Sequence, residues 1–320
     1  MQTVIVGAGA LGTIIAAHLA QAGHDVTLVA RGARARWLRE HGMQVRGLLD
    51  AKLPANVVED PSTLGDIDTL ILGVKTYQMD DALAPIRHLR PRNVFSVANG
   101  VMKNEQLADV YGADRVLGCM ADTSGELHTD GVVEFTRNVS LNVGPFATSS
   151  LTDSSDVGST INASGLVCNA ADDIASVEWS KFVPWTAMFV LSLLARRTTG
   201  QYLSEPSLAG VAVRMMREAG AVAQRLGIPL SDDAPMPVAK IIGAGSDQEA
   251  VDHVLAVGGV FSENAPTHRM SSLQDLDAGR RIEVEGTVGY LVRKADELGV
   301  CAPTLALNYQ LVRGIDALQA

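Results

Sequence analysis

The sequence lacks the features of several protein classes. Its 320 residues include only three cysteines, at positions 119, 168 and 301, and their spacing fits neither a metal site nor a disulfide framework. No stretch reaches the roughly 18 uninterrupted apolar residues of a membrane-spanning helix. The apolar N-terminus lacks the basic segment of a secretory signal. These absences predict a reduced globular chain in the cytoplasm that has no bound metal and no membrane segment.

Positive charge is also scarce. Lysine and arginine together number 26 against 36 acidic residues, which gives a net charge of −10. A nucleic-acid-binding protein needs a basic surface to neutralise phosphates, so this class is excluded. Hydrophobic residues make up 47% of the chain and charged residues 19%. This is an ordinary globular composition, and the length allows about two domains.

The first half of the chain alternates short apolar runs with helical patterns, which predicts an α/β fold with a parallel sheet. The predicted strands are Thr3–Val6, Asp25–Val29, Thr69–Val74, Val94–Val97 and Val116–Cys119. The predicted helices are Ala10–Ala22, Arg34–His41, Met79–Leu89 and Asn104–Tyr111. The apolar runs Val132–Thr136 and Val139–Val143 predict a hairpin that turns at Arg137-Asn138.

The second half reads as all-helical. Beyond about residue 175 the long helical patterns are Leu203–Leu226, Arg280–Leu298 and Pro303–Leu318, and strand-like runs are nearly absent. We therefore expect one domain over residues 1–172 and a helical domain over 173–320. The last helices carry an apolar stripe, which could serve a homodimer or face the chain's own core.

A glycine-rich motif follows the first predicted strand. Gly7-Ala8-Gly9-Ala10-Leu11-Gly12 opens the first helix, the context in which such a pattern indicates a Rossmann-type dinucleotide site. The first glycine permits the tight turn, the second lets the pyrophosphate approach, and the third lets helix pack on strand. The helix N-terminus then offers free N–H groups to the phosphates.

The end of the second strand indicates which dinucleotide binds. An NAD site needs an acidic residue there, whereas an NADP site uses arginine. This strand leads into Arg31, three further arginines follow closely, and the next acid is Glu40. Because arginine can hold a 2′-phosphate and a carboxylate would repel it, the sequence predicts NADP(H). A solvated basic helix face is the alternative.

Two polar clusters stand out in the helical half. Lys181 lies in a segment that is otherwise apolar through Leu194. A lysine there loses hydration, which favours proton transfer to a developing alkoxide, although it could also extend its charge to water from a core helix. The second cluster runs from Ser271 to Glu285 and, taken alone, is better explained as a helix cap with solvated charges than as a functional site.

Together these residues resemble the ketopantoate reductase (2-dehydropantoate 2-reductase) family over nearly the whole chain. The matching pieces keep the family's order and spacing: Gly7–Gly12 with Arg31, Val74-Lys75, Asn99-Gly100, Glu178–Lys181, and Ser271 through Glu283. The resemblance implies a Rossmann-type domain, a helical second domain, and NADPH-dependent reduction of a 2-oxo acid in the cleft between them.

The resemblance also implies a role for each matching residue. Lys181 corresponds to the general acid that holds the carbonyl oxygen. Asn99 corresponds to the asparagine that contacts both cofactor and substrate, and Lys75 to the lysine beside the cofactor. Ser271 corresponds to the serine that binds the substrate carboxylate. Glu283 corresponds to the glutamate near the nicotinamide ribose, which also orients the lysine.

The chain departs from the family pattern next to Lys181. Family members carry asparagines four and eight residues after the lysine, and here these positions are Trp185 and Phe189. Neither offers a carbonyl oxygen to a hydroxylated substrate. The two aromatic side chains either shape a more apolar substrate pocket or simply pack in the helical core. Pro184 removes a helix hydrogen bond and is expected to bend this segment.

The primary hypothesis is therefore NADPH-dependent reduction of 2-dehydropantoate to pantoate, in pantothenate biosynthesis. One alternative is a reductase of the same scaffold that acts on a more apolar 2-oxo acid or ketone. Another is a non-catalytic NADP(H)-binding redox sensor, although a sensor has no need of a proton donor such as Lys181.

Overall fold

The computed structural model describes residues 1–148, 150–234 and 236–319. It divides into two compact units, Met1–Ile174 and Ala175–Ala320. The boundary expected from the sequence lies two residues earlier. None of the described helices is long and apolar enough to cross a membrane.

The described residues of the first unit form ten strands and five α-helices. Its strands are β1 Gln2–Val6, β2 Asp25–Val29, β3 Met43–Gly47, β4 Ala51–Leu53, β5 Asn56–Val58, β6 Thr69–Leu72, β7 Asn93–Ser96, β8 Leu117–Leu127, β9 Val133–Pro145 and β10 Cys168–Ala170. Its helices are α1 Ala10–Gln21, α2 Gly32–His41, α3 Met79–Leu83, α4 Met102–Tyr111 and α5 Ser154–Ala163.

Five of these strands form a parallel sheet in the order β5-β2-β1-β6-β7. β6 and β7 are buried along their whole length, because helices cover both faces of such a sheet. Separate apolar clusters pack against the sheet, one including Ile5, Ile14 and Phe95 and the other including Val4 and Leu72. The strand order reverses beside β1, and ligands bind at such reversals, outside the carboxyl ends of the strands.

The predicted hairpin at Arg137-Asn138 is wrong. Both residues lie inside the continuous strand β9, which pairs antiparallel with β8 through two register shifts. The Arg137 guanidinium donates two hydrogen bonds, of 2.7 and 2.8 Å, to the Asp122 carboxylate on β8. The Asn138 side chain bonds the backbone of Gly165 and Val167. Polar side chains with cross-strand partners thus interrupt the apolar pattern without turning the chain.

In the part of the second unit that the structure describes, the regular elements are all helices. Its helices are α6 Ile174–Ala195, which begins in the first unit, α7 Thr199–Leu203, α8 Pro206–Arg225, α9 Val238–Gly243, α10 Asp247–Asn264, α11 Ser271–Asp277, α12 Val288–Leu298 and α13 Pro303–Ala317. α6 continues through Pro184 over 22 residues. α8 begins at Pro206 because the Glu205 side chain caps its first turn.

The helix predicted from Arg280 begins only at Val288. The segment before it is held in an irregular conformation by side chains, since Ile282 N–H donates to the Asp316 carboxylate and Arg280 donates to Asp275. The Thr287 hydroxyl donates to the carbonyl of Glu283 at 2.5 Å. These bonds replace the helical ones that the apolar periodicity alone would predict.

Candidate functional site

The glycine-rich turn lies at the carboxyl end of β1, in the middle of the parallel sheet. Gly7 has a φ of +100°, and a Cβ atom there would lie 2.6 Å from Val74 Cγ1. A Cβ on Gly12 would lie 2.1 Å from the Gly7 carbonyl oxygen. The first and third glycines are therefore required by the protein's own packing, because any side chain would collide with neighbouring atoms.

Gly9 differs from the other two glycines. A Cβ built on it would meet nothing closer than the Gly73 carbonyl oxygen at 3.9 Å, so the protein itself does not need glycine there. Gly9 is also the N-cap of α1, and no side chain caps this helix. The first N–H groups of a helix have no intrahelical partner and attract anions. The space in front of Gly9 and the N–H groups at the start of α1 are suited to binding the pyrophosphate of a dinucleotide.

The neighbouring strands bring two more predicted residues to this edge of the sheet. β6 ends at Leu72 and leads through Gly73 to Lys75, whose N–H donates to the Gln78 side chain at 3.2 Å. β7 ends at Ser96 and leads to the half-buried Asn99. Because all five strands are parallel, Lys75 and Asn99 follow strand ends at the same edge as the glycine-rich turn.

Lys103 supports the backbone around Asn99, a feature that motif matching missed. Its side chain, on α4, is only 2% exposed. The ammonium donates to the carbonyls of Ala98 at 3.0 Å, Gly100 at 2.9 Å and Cys119 at 2.7 Å. It thereby fixes the peptide groups on either side of Asn99. The signal in the sequence is a lysine four residues after the asparagine, which no general motif marks.

The arginines after β2 have different roles. Arg31 is exposed and is the N-cap of α2. Arg34 instead binds the protein: it donates to the Ala8 carbonyl at 2.8 Å, to the Gly131 carbonyl and to the Thr13 hydroxyl. Burial lowers the pKa of Arg34 to about 10. Through its bonds to Ala8 and Thr13, Arg34 thus stabilises the glycine-rich turn and the first part of α1.

Lys181 lies in the first half of α6 and is half-buried. Glu178, one turn earlier, is buried, and Ser180 accepts a hydrogen bond of 2.8 Å from Ser231 N–H. The other side of the helix packs through aromatic rings, since Trp179 and Phe182 each approach Tyr290. Lys181 is therefore carried on a helix whose neighbouring residues are fixed by packing.

Trp185 and Phe189 follow Lys181 at helical spacing and share its face. Trp185 is 8% exposed and Phe189 1% exposed, and their ring centroids lie 5.5 Å apart. Further along the same face, the Ser192 hydroxyl contacts the Ser272 hydroxyl at 3.2 Å. The helical rise places Ser192 about 16 Å beyond Lys181 along the axis. An aromatic pair thus separates the lysine from the start of α11.

The second polar cluster is divided between α11 and the irregular segment. Ser271 is exposed at the first position of α11, whereas Ser272 is buried against α6. Glu283 is buried in the segment before α12. The structure therefore places Gly7–Gly12, Arg31, Lys75 and Asn99 at one sheet edge of the first unit, and Lys181, Ser271 and Glu283 in the second unit. Among the residues it describes, no group of three acids, histidines or cysteines could hold a metal ion.

Comparison with known proteins relates this arrangement to a family. The model of the ketopantoate reductase PanE/ApbA family matches residues 3–148, and the model of its C-terminal domain matches residues 173–316. The chain belongs to this family. It is accordingly an oxidoreductase that acts on CH–OH groups, an NAD(P)H-dependent 2-oxo acid reductase, as the resemblance implied.

Individual relatives are distant but cover the whole chain. The 2-dehydropantoate 2-reductase of Archaeoglobus fulgidus is 29% identical over 98% of this reductase and 97% of its own length. The crystal structure of a PanE/ApbA family ketopantoate reductase from Ralstonia eutropha has a TM-score of 0.83 and 24% identity, with 100% and 99% coverage. D-mandelate dehydrogenase, in a ternary structure with NADH and anilino(oxo)acetate, has a TM-score of 0.84 and 20% identity, with 100% and 99% coverage. These likenesses confirm the Rossmann-type and helical fold class.

Proposed function

We propose that this chain reduces 2-dehydropantoate to pantoate with NADPH as the reductant. The observation that carries the proposal is the open cradle at Gly9, where an uncapped helix N-terminus meets a turn whose other two glycines are required by packing. A bound nicotinamide cofactor supplies the hydride. Arg31, exposed at the start of α2, is the residue assigned to the 2′-phosphate. Lys75 is assigned to the cofactor, and Asn99 to both the cofactor and the substrate.

Lys181 is assigned as the general acid. In this proposal its ammonium donates a hydrogen bond to the carbonyl oxygen of the substrate, stabilises the negative charge that develops there, and delivers the proton. Ser271 binds the substrate carboxylate. Glu283 contacts the nicotinamide ribose and orients Lys181. The buried Glu178 and the aromatic packing of Trp179 and Phe182 hold the helix that carries the lysine.

Trp185, which stays 8% exposed next to the buried Phe189, supports a second candidate, a more apolar 2-oxo acid. A phenyl or branched aliphatic group can bury its surface against aromatic rings, whereas the hydroxyl group of 2-dehydropantoate finds no amide at these positions. The solved D-mandelate dehydrogenase, which shares the fold, is named for a 2-hydroxy acid that carries an aromatic ring.

The test is a substrate panel. Purified protein is given NADPH with 2-dehydropantoate, pyruvate, a branched 2-oxo acid or phenylglyoxylate, and the loss of the reduced nicotinamide absorbance is followed. We expect kcat/KM above about 10⁴ M⁻¹s⁻¹ for the physiological substrate class. If phenylglyoxylate exceeds 2-dehydropantoate, the second candidate replaces the first. NADPH binding without turnover on any acid would instead favour the redox sensor.

A further inference from the structure

A carboxylate from a neighbouring strand reaches the start of α2. NADPH is predicted because no acidic residue directly follows β2; the chain continues there through Ala30 to Arg31. β5 pairs with β2 so that Val58 lies opposite Val29, and the Val58 carbonyl accepts from Ala30 N–H at 3.2 Å. Glu59 directly follows Val58, the last residue of β5. Its Oε2 accepts a hydrogen bond of 3.2 Å from the Gly32 N–H, the first residue of α2.

The Glu59 carboxylate is ionised at neutral pH. The hydrogen bond from the Arg39 guanidinium, followed by that from Gly32 N–H, holds the pKa of Glu59 below its ordinary value. Arg36 adds a weaker attraction. A negative charge therefore lies at the helix terminus where a Rossmann-type fold places the adenosine ribose, and it comes from β5 rather than from β2.

Stability does not require this ion pair. The Arg39 and Glu59 side chains are 45% and 43% exposed, and pairs exposed to that degree contribute little to folding. The pair has an electrostatic consequence for an anion at the start of α2, because the Arg39 guanidinium and the Gly32 N–H already donate to Glu59. Glu59 occupies them and adds a like charge.

We propose that Glu59 sets the cofactor selectivity of this reductase. The carboxylate accepts a hydrogen bond from the ribose 2′-hydroxyl of NADH and repels the 2′-phosphate of NADPH, which offsets the attraction of Arg31. The enzyme then uses NADH as well as NADPH. Its ratio of kcat/KM for NADPH over NADH is smaller than the arginines alone would give. The inference depends on the proposed function only in that a nicotinamide dinucleotide must occupy this sheet edge.

The matched variants are Glu59→Gln and Asp60→Asn. Each removes one negative charge and keeps a polar side chain of the same shape, but Asp60 caps the short turn that follows β5 and bonds Ser62 N–H rather than α2. We expect E59Q to raise the ratio of kcat/KM for NADPH over NADH about tenfold, through a lower KM for NADPH, since one like charge is removed at a distance of a few ångströms. D60N should change the ratio by less than about twofold, because the Asp60 carboxylate accepts from Ser62 N–H in the turn after β5 and solvent screens its charge.

A binding measurement separates this inference from the proposed activity. Calorimetric titration with 2′-phospho-AMP and with AMP reports the adenosine end alone and needs no turnover. E59Q should tighten 2′-phospho-AMP and weaken AMP, and the gain should shrink as salt screens the charge. An unchanged ratio of the two dissociation constants in E59Q overturns the role of Glu59, whatever the activity. If that ratio shifts while no 2-oxo acid is reduced, the proposed function fails and the selectivity role stands.

Discussion

The two units hold their functional residues in different ways. In the first unit the proposed dinucleotide site is formed mainly by the backbone: a turn at positive φ, a helix without a side-chain cap and the ends of parallel strands. In the second unit the proposed roles belong to side chains: Lys181, which shares one face of α6 with Trp185 and Phe189, and Ser271 and Glu283 on later segments. A turn at positive φ allows few residue types, so it leaves a motif that can be recognised in the sequence. A helix face can change its side chains without loss of the fold, and such changes can alter which substrate binds.

The largest expected effect is at the helix face. Lys181→Ala should lower kcat by about two to four orders of magnitude, the usual contribution of a general acid. NADPH affinity should stay within about twofold, because Lys181 is assigned to the substrate and most of the predicted cofactor residues lie in the first unit. Steady-state kinetics and NADPH titration measure both quantities. A variant that retains turnover within about threefold of the wild type, with the same substrate, would remove Lys181 from the mechanism.

A pair of glycine substitutions tests the backbone-defined unit. Gly12→Ala places a Cβ atom 2.1 Å from a backbone oxygen and should destabilise the fold by about 3 kcal/mol or more. Gly9→Ala meets nothing closer than 3.9 Å, so its free energy of unfolding should be nearly unchanged. NADPH affinity of G9A should nevertheless fall at least about tenfold, because the methyl group occupies the approach of the pyrophosphate. Equal affinity in G9A and wild type contradicts the proposed cradle.

The sequence pattern predicted some elements of the fold well and missed others. The strands β1, β2, β6 and β7 are largely buried and apolar, and glycine or a polar residue lies at the end of each or within two residues of it. The apolar runs and these breaks therefore located the strands within a few residues. The boundary between units was visible where strand patterns stop. The short strands β3 to β5 were missed, because three- to five-residue strands with mixed polarity carry little periodic signal.

The misses at the site have a different cause, because they arise from contacts between distant segments. Glu59 lies 27 residues from Gly32 in the chain and reaches it only because β5 pairs with β2. Lys103 bonds the Cys119 carbonyl, 16 residues away, across the end of the sheet. The irregular segment before α12 is held by Asp316. A local sequence pattern contains none of this pairing information.

The third prediction concerns the lysine that supports Asn99. Lys103→Met keeps much of the side-chain volume but leaves three carbonyls without their shared donor, so the free energy of unfolding should fall by about 2 kcal/mol. The backbone around Asn99 should also become more mobile. Because Asn99 would then be less well positioned, kcat/KM should fall by about tenfold. Lys52→Met, on the exposed middle residue of β4, is the matched control and should change neither quantity. If K103M equals K52M in urea unfolding and in kcat/KM, Lys103 does not position Asn99.

The smallest expected effect distinguishes pocket from packing at the aromatic pair. Trp185→Leu and Phe189→Leu keep these buried positions apolar but remove the ring contact between them. If the rings contact the substrate, the ratio of kcat/KM for phenylglyoxylate over 2-dehydropantoate should fall about three- to tenfold, the size of an aromatic pair interaction. If the rings only pack in the helical core, both substrates should change by the same factor while the free energy of unfolding decreases. The double variant adds a further check, since contact residues that act on one substrate ring should show non-additive effects on that ratio.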